Sequence, residues 1–363
     1  MPAKGIRNKD KIVSSLISNT LPKVTGLYSF SESGLYSFSA AVKKDMKCSV
    51  VILNWNGAEM LRKYLPSVVQ YCPATISGNT SAAGIETEVV VADNGSTDES
   101  LQVLSKEFPT VKTIVLDRNY GFAEGYNRAI DQLLEGERRK AKGEKSPEYV
   151  VLLNSDVEVT ENWLTPLLDY LETHPNTAAV QPKIRSWVHK DRFEHAGAAG
   201  GFVNALGYPY CRGRVLWNVE EDKGQYDTIV NVHWTSGACM CVRTRVYKEC
   251  GGLDAAFFAH MEEIDLCWRM RNAGYVLACV PQSVVYHLGG GSLNYESPRK
   301  TYLNHRNNLL MIYKNHKHPF GVLFVRFFLD YAAAFFYLLQ GRWGAFKAVF
   351  QARWDYQKMR KAY

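Results

Sequence analysis

The 363-residue sequence lacks the cysteine spacing, the leader and the glycine fingerprint that mark several common protein classes. None of its 8 cysteines form a C-x-x-C pair, so we expect buried reduced thiols rather than a zinc or dithiol site. No apolar core follows Lys4, Arg7 and Lys9, which predicts no cleavable signal peptide and a cytoplasmic location. The string G-x-G-x-x-G does not follow the first predicted strand, which argues against a dinucleotide-binding fold.

Positive charge is scarce in the middle of the chain. Residues 46–295 carry 24 Lys and Arg against 30 Asp and Glu, although the formal net charge of the whole chain is +7. Because nucleic-acid phosphates are neutralised by Lys and Arg, this distribution argues against a nucleic-acid groove there. An acidic middle suits carboxylates that hold a divalent cation.

Residues 1–45 differ in composition and pattern from the rest of the chain. They are rich in Ser, Lys and Gly, and they repeat the string Gly-Leu-Tyr-Ser-Phe-Ser at positions 26 and 34. Such a segment has little periodicity and predicts a disordered extension. We therefore expect the folded domain to begin near Met46.

From Cys48 onward, short apolar runs alternate with helical patterns, which predicts an α/β fold. Continuous apolar strands separated by helices indicate a mostly parallel sheet covered by helices on both faces. In such sheets, ligands bind beyond the carboxyl ends of the strands. Each predicted strand ends in polar residues, which together predict one polar crevice: Asn54 and Asn56, Asp93 and Asn94, Arg118 and Asn119, and Asn154 and Asp156.

Two carboxylates in this crevice suggest chemistry. Asp156 is a candidate ligand for Mg²⁺ or Mn²⁺, since hard cations take oxygen ligands and bridge phosphates, although a helix cap is the alternative. Asp93 is equally typical of a turn, but its carboxylate could accept a hydrogen bond from the imide N–H of uracil or thymine. Near Asn119, the glycines Gly121 and Gly125 allow close backbone approach at a helix N-terminus that favours phosphate.

A second acidic cluster, Glu262, Glu263 and Asp265, stands at the start of a predicted helix. A solvated acidic first turn is the ordinary explanation. Alternatively, one of these carboxylates acts as general base toward a hydroxyl. His287 follows an apolar run and precedes a glycine loop, so it is either structural or a ligand for metal or phosphate.

These strings resemble the family 2 glycosyltransferases of the GT-A fold, especially the rhamnosyltransferase-like branch of bacterial surface-polysaccharide pathways. The resemblance runs over about 48–315. Order and spacing agree for the segments 50–57, 89–98, 119–127, 152–156, 251–254 and 262–267 and for His287.

The resemblance implies an inverting, metal-dependent transfer from a UDP- or dTDP-sugar to a glycan or lipid-linked acceptor. Asp93 would face the nucleobase, and Asp156 would hold the metal within an Asp-x-Asp motif that His287 completes. Glu263 would be the general base. The chain departs from the family pattern at Asn154, which replaces the first Asp of that motif, and at Glu262-Glu263, which replaces a Glu-Asp pair and leaves Asp265 as the alternative base.

The implied organisation is a nucleotide-sugar-binding half at 46–170, an acceptor and catalytic half of the same domain at 171–298, and a helical segment at 299–363. Two other functions stay open. A sugar nucleotidyltransferase would need Lys and Arg in the loop 54–57, which has none. An inactive homologue would bind a nucleotide sugar without turnover. The donor sugar, the linkage and the oligomeric state are left open.

The carboxyl-terminal run 319–339 is unusually apolar and aromatic, and Arg326 and Asp330 interrupt it at a spacing that allows a pair. Basic residues follow it. We expect a helix that lies on the anionic inner face of the cytoplasmic membrane as a peripheral contact. The alternatives are packing on the domain or in a dimer, and a full membrane span.

Overall fold

The computed structural model describes residues 46–135, 146–195, 197–215, 218–289 and 297–363, which belong to one compact unit. The predicted extension at 1–45 lies outside the described residues.

The first half alternates strands and helices, as the sequence predicts. Its four strands run parallel in the order β3-β2-β1-β4. They are β1 (Lys47–Asn54), β2 (Glu86–Asp93), β3 (Lys112–Val115) and β4 (Tyr149–Asn154). Helices α1 (Ala58–Tyr71), α2 (Ser100–Glu107) and α3 (Gly121–Leu134) follow the first three strands.

The second half extends this sheet to nine strands of mixed direction. Strand β12 pairs antiparallel with both β4 and β6, whereas β6 and β13 pair in parallel, so the sheet carries two parallel blocks joined by one reversed strand. The elements in this half are β5 (Val157–Val159), α4 (Leu164–Thr173), β6 (Thr177–Ser186), β7 (Gly201–Val203), β8 (Pro209–Cys211), β9 (Arg214–Val215), β10 (Asn218–Val219), β11 (Val230–Asn231), β12 (Cys239–Arg243), α5 (Thr244–Glu249), α6 (Glu262–Asn272) and β13 (Val276–His287).

Side chains of the parallel strands alternate between two hydrophobic layers. Val51, Val90 and Leu152 lie in register and belong to one buried cluster, which α3 covers. Their neighbours Ile52 and Leu153 belong to the opposite cluster, which α1, α2 and α4 cover. Because both faces of the strands are buried, the strands read as continuous apolar runs. The predicted fold class is confirmed.

Three helices end the chain, as predicted: α7 (Pro298–Asn315), α8 (Pro319–Leu339) and α9 (Trp343–Met359). The hydroxyl of Ser297 accepts a hydrogen bond from the Lys300 N–H and caps α7. The predicted segment boundary at 170–171 falls inside α4, and that at 298–299 falls at the start of α7.

Candidate active site

The polar strand ends meet at one edge of the sheet. Asn54 and Asp93 are partners in the register of β1 and β2, and Asn154 lies opposite Leu53 on the other side of β1. Because parallel strands present their carboxyl ends at the same edge, three of the predicted side chains occupy adjacent positions.

Asp93 is fully buried and organises the loop that follows β2. The side-chain amide of Asn54 donates to Asp93 Oδ2 over 3.0 Å, and the Ser96 N–H donates to Asp93 Oδ1 over 2.9 Å. Exposed Asn56 joins the same loop, because its N–H donates to the Ser96 hydroxyl and its Oδ1 accepts from Thr97. These contacts fix the rim on which a nucleobase would rest, and the direct contact of Asp93 with that base stays a prediction.

The side chain of Asn94 forms hydrogen bonds with the residues at the start of α3. Its amide donates to Asn119 Oδ1 over 3.1 Å and to the Gly121 carbonyl over 3.0 Å, while Asn119 Oδ1 accepts from the Gly121 N–H. A Cβ at Gly125 would lie 3.0 Å from the side chains of Asn94 and Leu53, so any larger residue there would have to displace them.

Asp156, in the turn between β4 and β5, meets His287 at the end of β13. Strand β5 pairs with the end of β13, which places Asp156 Oδ1 3.2 Å from His287 Nε2. Burial opposes ionisation of Asp156, but the hydrogen bond and charge of His287 outweigh it and hold the pKa of Asp156 below its usual value. Asn154 lies beside them, with its amide nitrogen 3.4 Å from His287 Nε2.

Glu194 also approaches His287, and the sequence analysis missed it. The side chain is buried, and its Oε1 lies 3.7 Å from His287 Nδ1. Burial lowers the pKa of His287, but Asp156 and Glu194 together raise it to about 10. The sequence offers little sign of this contact. Glu194 stands in a Glu-His pair shortly before a glycine, and no spacing rule connects such a pair to a histidine 93 positions later.

Among the described residues, no group of three or more His, Cys, Asp and Glu side chains has the arrangement of a complete metal site. The Asp156 carboxylate nevertheless supplies one oxygen donor at the sheet edge. His287 is protonated at neutral pH because its pKa is raised, so its Nε2 would become a second donor when the cation displaces that proton. Mg²⁺ is commonly held by one or two protein carboxylates together with substrate phosphates. The residues therefore fit a cation that is bound jointly with a diphosphate.

At the start of α6, Glu262 is buried and Glu263 is half-buried. Among the described residues, the Oε2 atoms of both are buried without a hydrogen-bond partner. Burial raises the pKa of Glu263 to about 7, although main-chain N–H groups at the helix start lower it. Burial and then the charge of Glu263 raise the pKa of Glu262 well above its usual value. A carboxyl group with a pKa near 7 is suited to general-base catalysis at neutral pH.

The loop before α6 holds three non-glycine residues in the left-handed region: Phe258 (φ 64°), His260 (φ 69°) and Met261 (φ 75°). Such conformations are costly and are retained where the surroundings impose them. The Phe258 carbonyl accepts from the Phe122 N–H over 3.2 Å, so this loop packs on the start of α3. The amide of buried Asn307 in α7 lies within 3.0 Å of three carbonyls of residues 257, 259 and 260.

Asp265 lies in a different environment from the two glutamates. It is fully buried, and it pairs with Arg269 over 2.8 Å and Lys314 over 3.1 Å. The Asn315 amide donates to its other oxygen. Asp265 therefore ties α6 to the end of α7, an arrangement that does not suit the alternative general base.

Two consecutive residues connect the metal-ligand candidates with the base candidate. The Ala238 carbonyl accepts from the Asn154 N–H over 3.0 Å. A Cβ on the preceding Gly237 would lie 3.7 Å from the Glu263 side chain and 3.5 Å from Phe122. Gly237 and Ala238 thus lie between three elements, which are the end of β4 at Asn154, the start of α3 and the start of α6.

Several known proteins similar to this chain are glycosyltransferases. The family described as "Glycosyl transferase family 2" matches residues 49–251, which is more than half of the chain. The N-acetylglucosaminyl-diphospho-decaprenol L-rhamnosyltransferase of Mycobacterium tuberculosis is 28% identical over 233 residues, covering 63% of this chain and 75% of that protein. The low-salt glycan biosynthesis hexosyltransferase Agl10 of Haloferax volcanii is 23% identical over 279 residues, covering 76% and 79%.

Among solved structures, that of GalNAc-T7 with UDP, GalNAc and Mn²⁺ superposes with a TM-score of 0.51 at 17% identity. The match covers 74% of this chain and 47% of that one, so this chain corresponds to about half of that protein. At this identity the likeness shows a shared fold.

Proposed function

Since the chain belongs to glycosyl transferase family 2 and is a glycosyltransferase, we propose that it transfers a sugar, with inversion, from a UDP- or dTDP-sugar to a glycan acceptor. The observation that carries this proposal is the junction at Gly237 and Ala238. It joins the strand end at Asn154, beside the proposed cation ligands, to the start of α6, where the pKa of Glu263 is raised to about 7.

The donor would lie along the polar edge of the sheet. Asp93, Asn54 and Asn56 fix the rim for the nucleobase, and Asn119, Gly121 and Gly125 present the N-terminus of α3 to the diphosphate. Main-chain N–H groups at a helix start favour a bound phosphate. Uracil and thymine share the imide N–H that a carboxylate accepts, which supports UDP and dTDP as the nucleotides.

Asp156 and His287, with Asn154 beside them, would hold Mg²⁺ or Mn²⁺ on the diphosphate. A bound divalent cation supplies charge that stabilises the departing nucleoside diphosphate, an effect worth several kcal/mol. Asn154 provides a neutral amide where a second carboxylate would give another negative charge. With fewer negative charges the site should bind the cation weakly, so we expect activity to depend on metal added to the assay.

Glu263 would take the proton from the acceptor hydroxyl as the acceptor oxygen attacks the anomeric carbon. The bond to the diphosphate breaks on the opposite face, which inverts the anomeric configuration. Burial raises the pKa of Glu263 to about 7, so the carboxylate is available yet basic enough to accept a proton. Holding both substrates at the rim also removes much of the entropic barrier.

The acceptor would be a lipid-linked glycan, and the reaction would take place at the cytoplasmic face of the membrane. The similarity to an enzyme named for a diphospho-decaprenol acceptor supports this assignment. A lipid-linked glycan of this kind belongs to surface-polysaccharide synthesis, and a long prenyl chain keeps it at a bilayer.

The test is a screen of UDP-, dTDP- and GDP-sugars with Mn²⁺, with Mg²⁺ and with chelator. We expect one UDP- or dTDP-sugar to be consumed, chelator to stop the reaction, and NMR of the product to show an inverted anomeric centre. Glu263→Gln is the matched control, since it should still bind the donor but should transfer its sugar much more slowly. Binding by the wild type without turnover would indicate an inactive homologue, and pyrophosphate release from a nucleoside triphosphate would indicate a nucleotidyltransferase.

A further inference from the structure

Helix α8 carries its polar side chains inward and its apolar side chains outward. Its most buried side chains include Arg326 and Asp330, which are 1% exposed each. In contrast, Phe324 is 67% exposed and Phe328 is 59% exposed. The reverse distribution is normal for a helix on a water-soluble surface. We call six of the large exposed aromatic side chains of α8 and α9 the aromatic face: Phe320, Phe324, Phe328, Phe336, Trp343 and Trp354.

The buried charges fasten this face to the domain. Arg326 donates to Asp330 Oδ1 over 3.2 Å, and Arg353 of α9 donates to the other oxygen of Asp330 over 2.6 Å. Arg326 also donates to the Leu206 carbonyl over 3.1 Å, and its guanidinium stacks on the Tyr208 ring at 3.7 Å. One side of α8 is thus held against the folded domain. The apolar side chains on its other side face outward and would be stabilised by an apolar environment.

A groove of about 480 Å³ between α8 and α9 opens beside the aromatic face. Phe327, Tyr331 and Phe350 line it, and Lys347 stands at its edge. Large exposed apolar side chains clustered on two neighbouring helices mark an interaction site, whereas single ones are normal on any protein surface.

Basic side chains border the aromatic face. Arg342 lies 4.9 Å from the Tyr337 ring and Lys358 lies 5.4 Å from the Trp354 ring. Between residues 331 and 363 the acidic side chain is Asp355, whose carboxylate lies 3.6 Å from Lys358 Nζ. The border is therefore net positive, which complements anionic lipid headgroups.

We propose that the aromatic face docks on an anionic lipid bilayer, with α8 lying in the membrane interface rather than across it. Within the described residues, α8 is the one helix long and apolar enough to span a membrane, with 21 residues and an 18-residue stretch of mean hydropathy 1.8. Its ties to Leu206 and Arg353 hold one side against the domain, which favours the interfacial position. A second copy of the chain suits the face less well, because a two-fold contact would bring the same basic borders together.

The inference deepens the proposed function, since docking would bring the active site to a lipid-linked acceptor. Its test is flotation of the full chain with vesicles made of equal parts phosphatidylglycerol and phosphatidylethanolamine, and with phosphatidylcholine vesicles. We expect the wild type to float with the anionic vesicles and to be released by high salt. The double variant Phe324→Ser/Phe328→Ser should float about tenfold less.

The matched control is Val188→Ser/Val215→Ser, which removes two side chains that are 60% and 64% exposed elsewhere. It should float like the wild type. Equal flotation of both double variants, or failure of the wild type to float, would overturn the proposal. Resistance to alkaline carbonate would point instead to a spanning helix, and a dimer abolished by Phe324→Ser/Phe328→Ser without vesicle binding would point to a second copy. Because flotation needs no sugar transfer, nucleotide titration of the same samples tests the proposed function separately.

Discussion

The side-chain amide of Asn307 lies 2.7 Å from the main-chain oxygen of His260, one residue before the left-handed Met261 that immediately precedes α6. This contact crosses from the carboxyl-terminal helices to the loop that positions Glu263. It implies that α7 takes part in shaping the active site, although it supplies no candidate catalytic group.

Asn307→Ala should therefore lower kcat by about tenfold or more while the donor KM changes little, because Glu263 would lose its fixed position. The loss of a buried donor should also cost about 1–3 kcal/mol of stability. Steady-state kinetics and urea unfolding measure the two effects. Asn308→Ala is the matched control, since that buried amide bonds the Gly207 carbonyl and its loss should reduce stability alone. Equal kcat losses in both variants would speak against a positioning role.

The pH dependence of turnover tests the role of Glu263. A base must be ionised before it accepts a proton, so kcat should rise with pH through about 7, the value to which burial raises its pKa. Glu263→Gln should abolish that rise and lower kcat by about 100-fold. Asp265→Asn should lower stability instead and leave the pH profile in place. A Glu263→Gln enzyme with near-normal turnover would rule this residue out.

Glu262 should make the protein less stable as pH rises. Burial and the charge of Glu263 raise its pKa in the folded state, so the folded protein binds this proton more tightly than the unfolded chain. Its stabilising contribution is therefore present at low pH and is lost as pH rises through the folded pKa. Between about pH 6 and about pH 9, the Tm of Glu262→Gln should therefore fall by less than the Tm of the wild type. Glu161→Gln, at an exposed position, should follow the wild type.

Metal affinity should follow the number of negative charges near His287. Asn154→Asp adds a carboxylate at the strand end and should tighten Mn²⁺ binding about tenfold in the presence of UDP, whereas Asp156→Asn should weaken it by more than that. Electron paramagnetic resonance of free Mn²⁺ measures both without turnover. Asp117→Asn, at an exposed position, serves as the control. No change in either variant would move the cation site elsewhere.

Glu194 should act on the metal through His287. A carboxylate beside the far ring nitrogen orients a histidine ligand, and loss of such a partner typically weakens metal binding by about 10- to 100-fold. Glu194→Gln should therefore lower Mn²⁺ affinity in the same resonance assay, and Glu194→Asp should restore part of it. If metal affinity is unchanged while the Tm falls, Glu194 has only a structural role.

Much of this molecule was predictable because its signals are local. Apolar runs gave strands β1 to β4 and the 3.6-residue period gave their helices, so the edge carrying Asn54, Asp93 and Asn154 followed from the rule for parallel sheets. The reversed strand β12 was not predicted, since an apolar run does not state its direction. The partners Glu194 and Asn307 were also missed, because each acts on residues many positions away.

The sequence by itself determined the alternation of elements, the polar strand ends, the acidic start of α6 and the presence of an apolar helix at the end of the chain. Only the tertiary structure decided which way that helix faces, with Arg326 and Asp330 inward and Phe324 outward. It also decided that Asp265 ties two helices together while Glu263 lies beside Gly237. Periodicity records which residues share a face of one element, but burial and pairing depend on which other element that face meets.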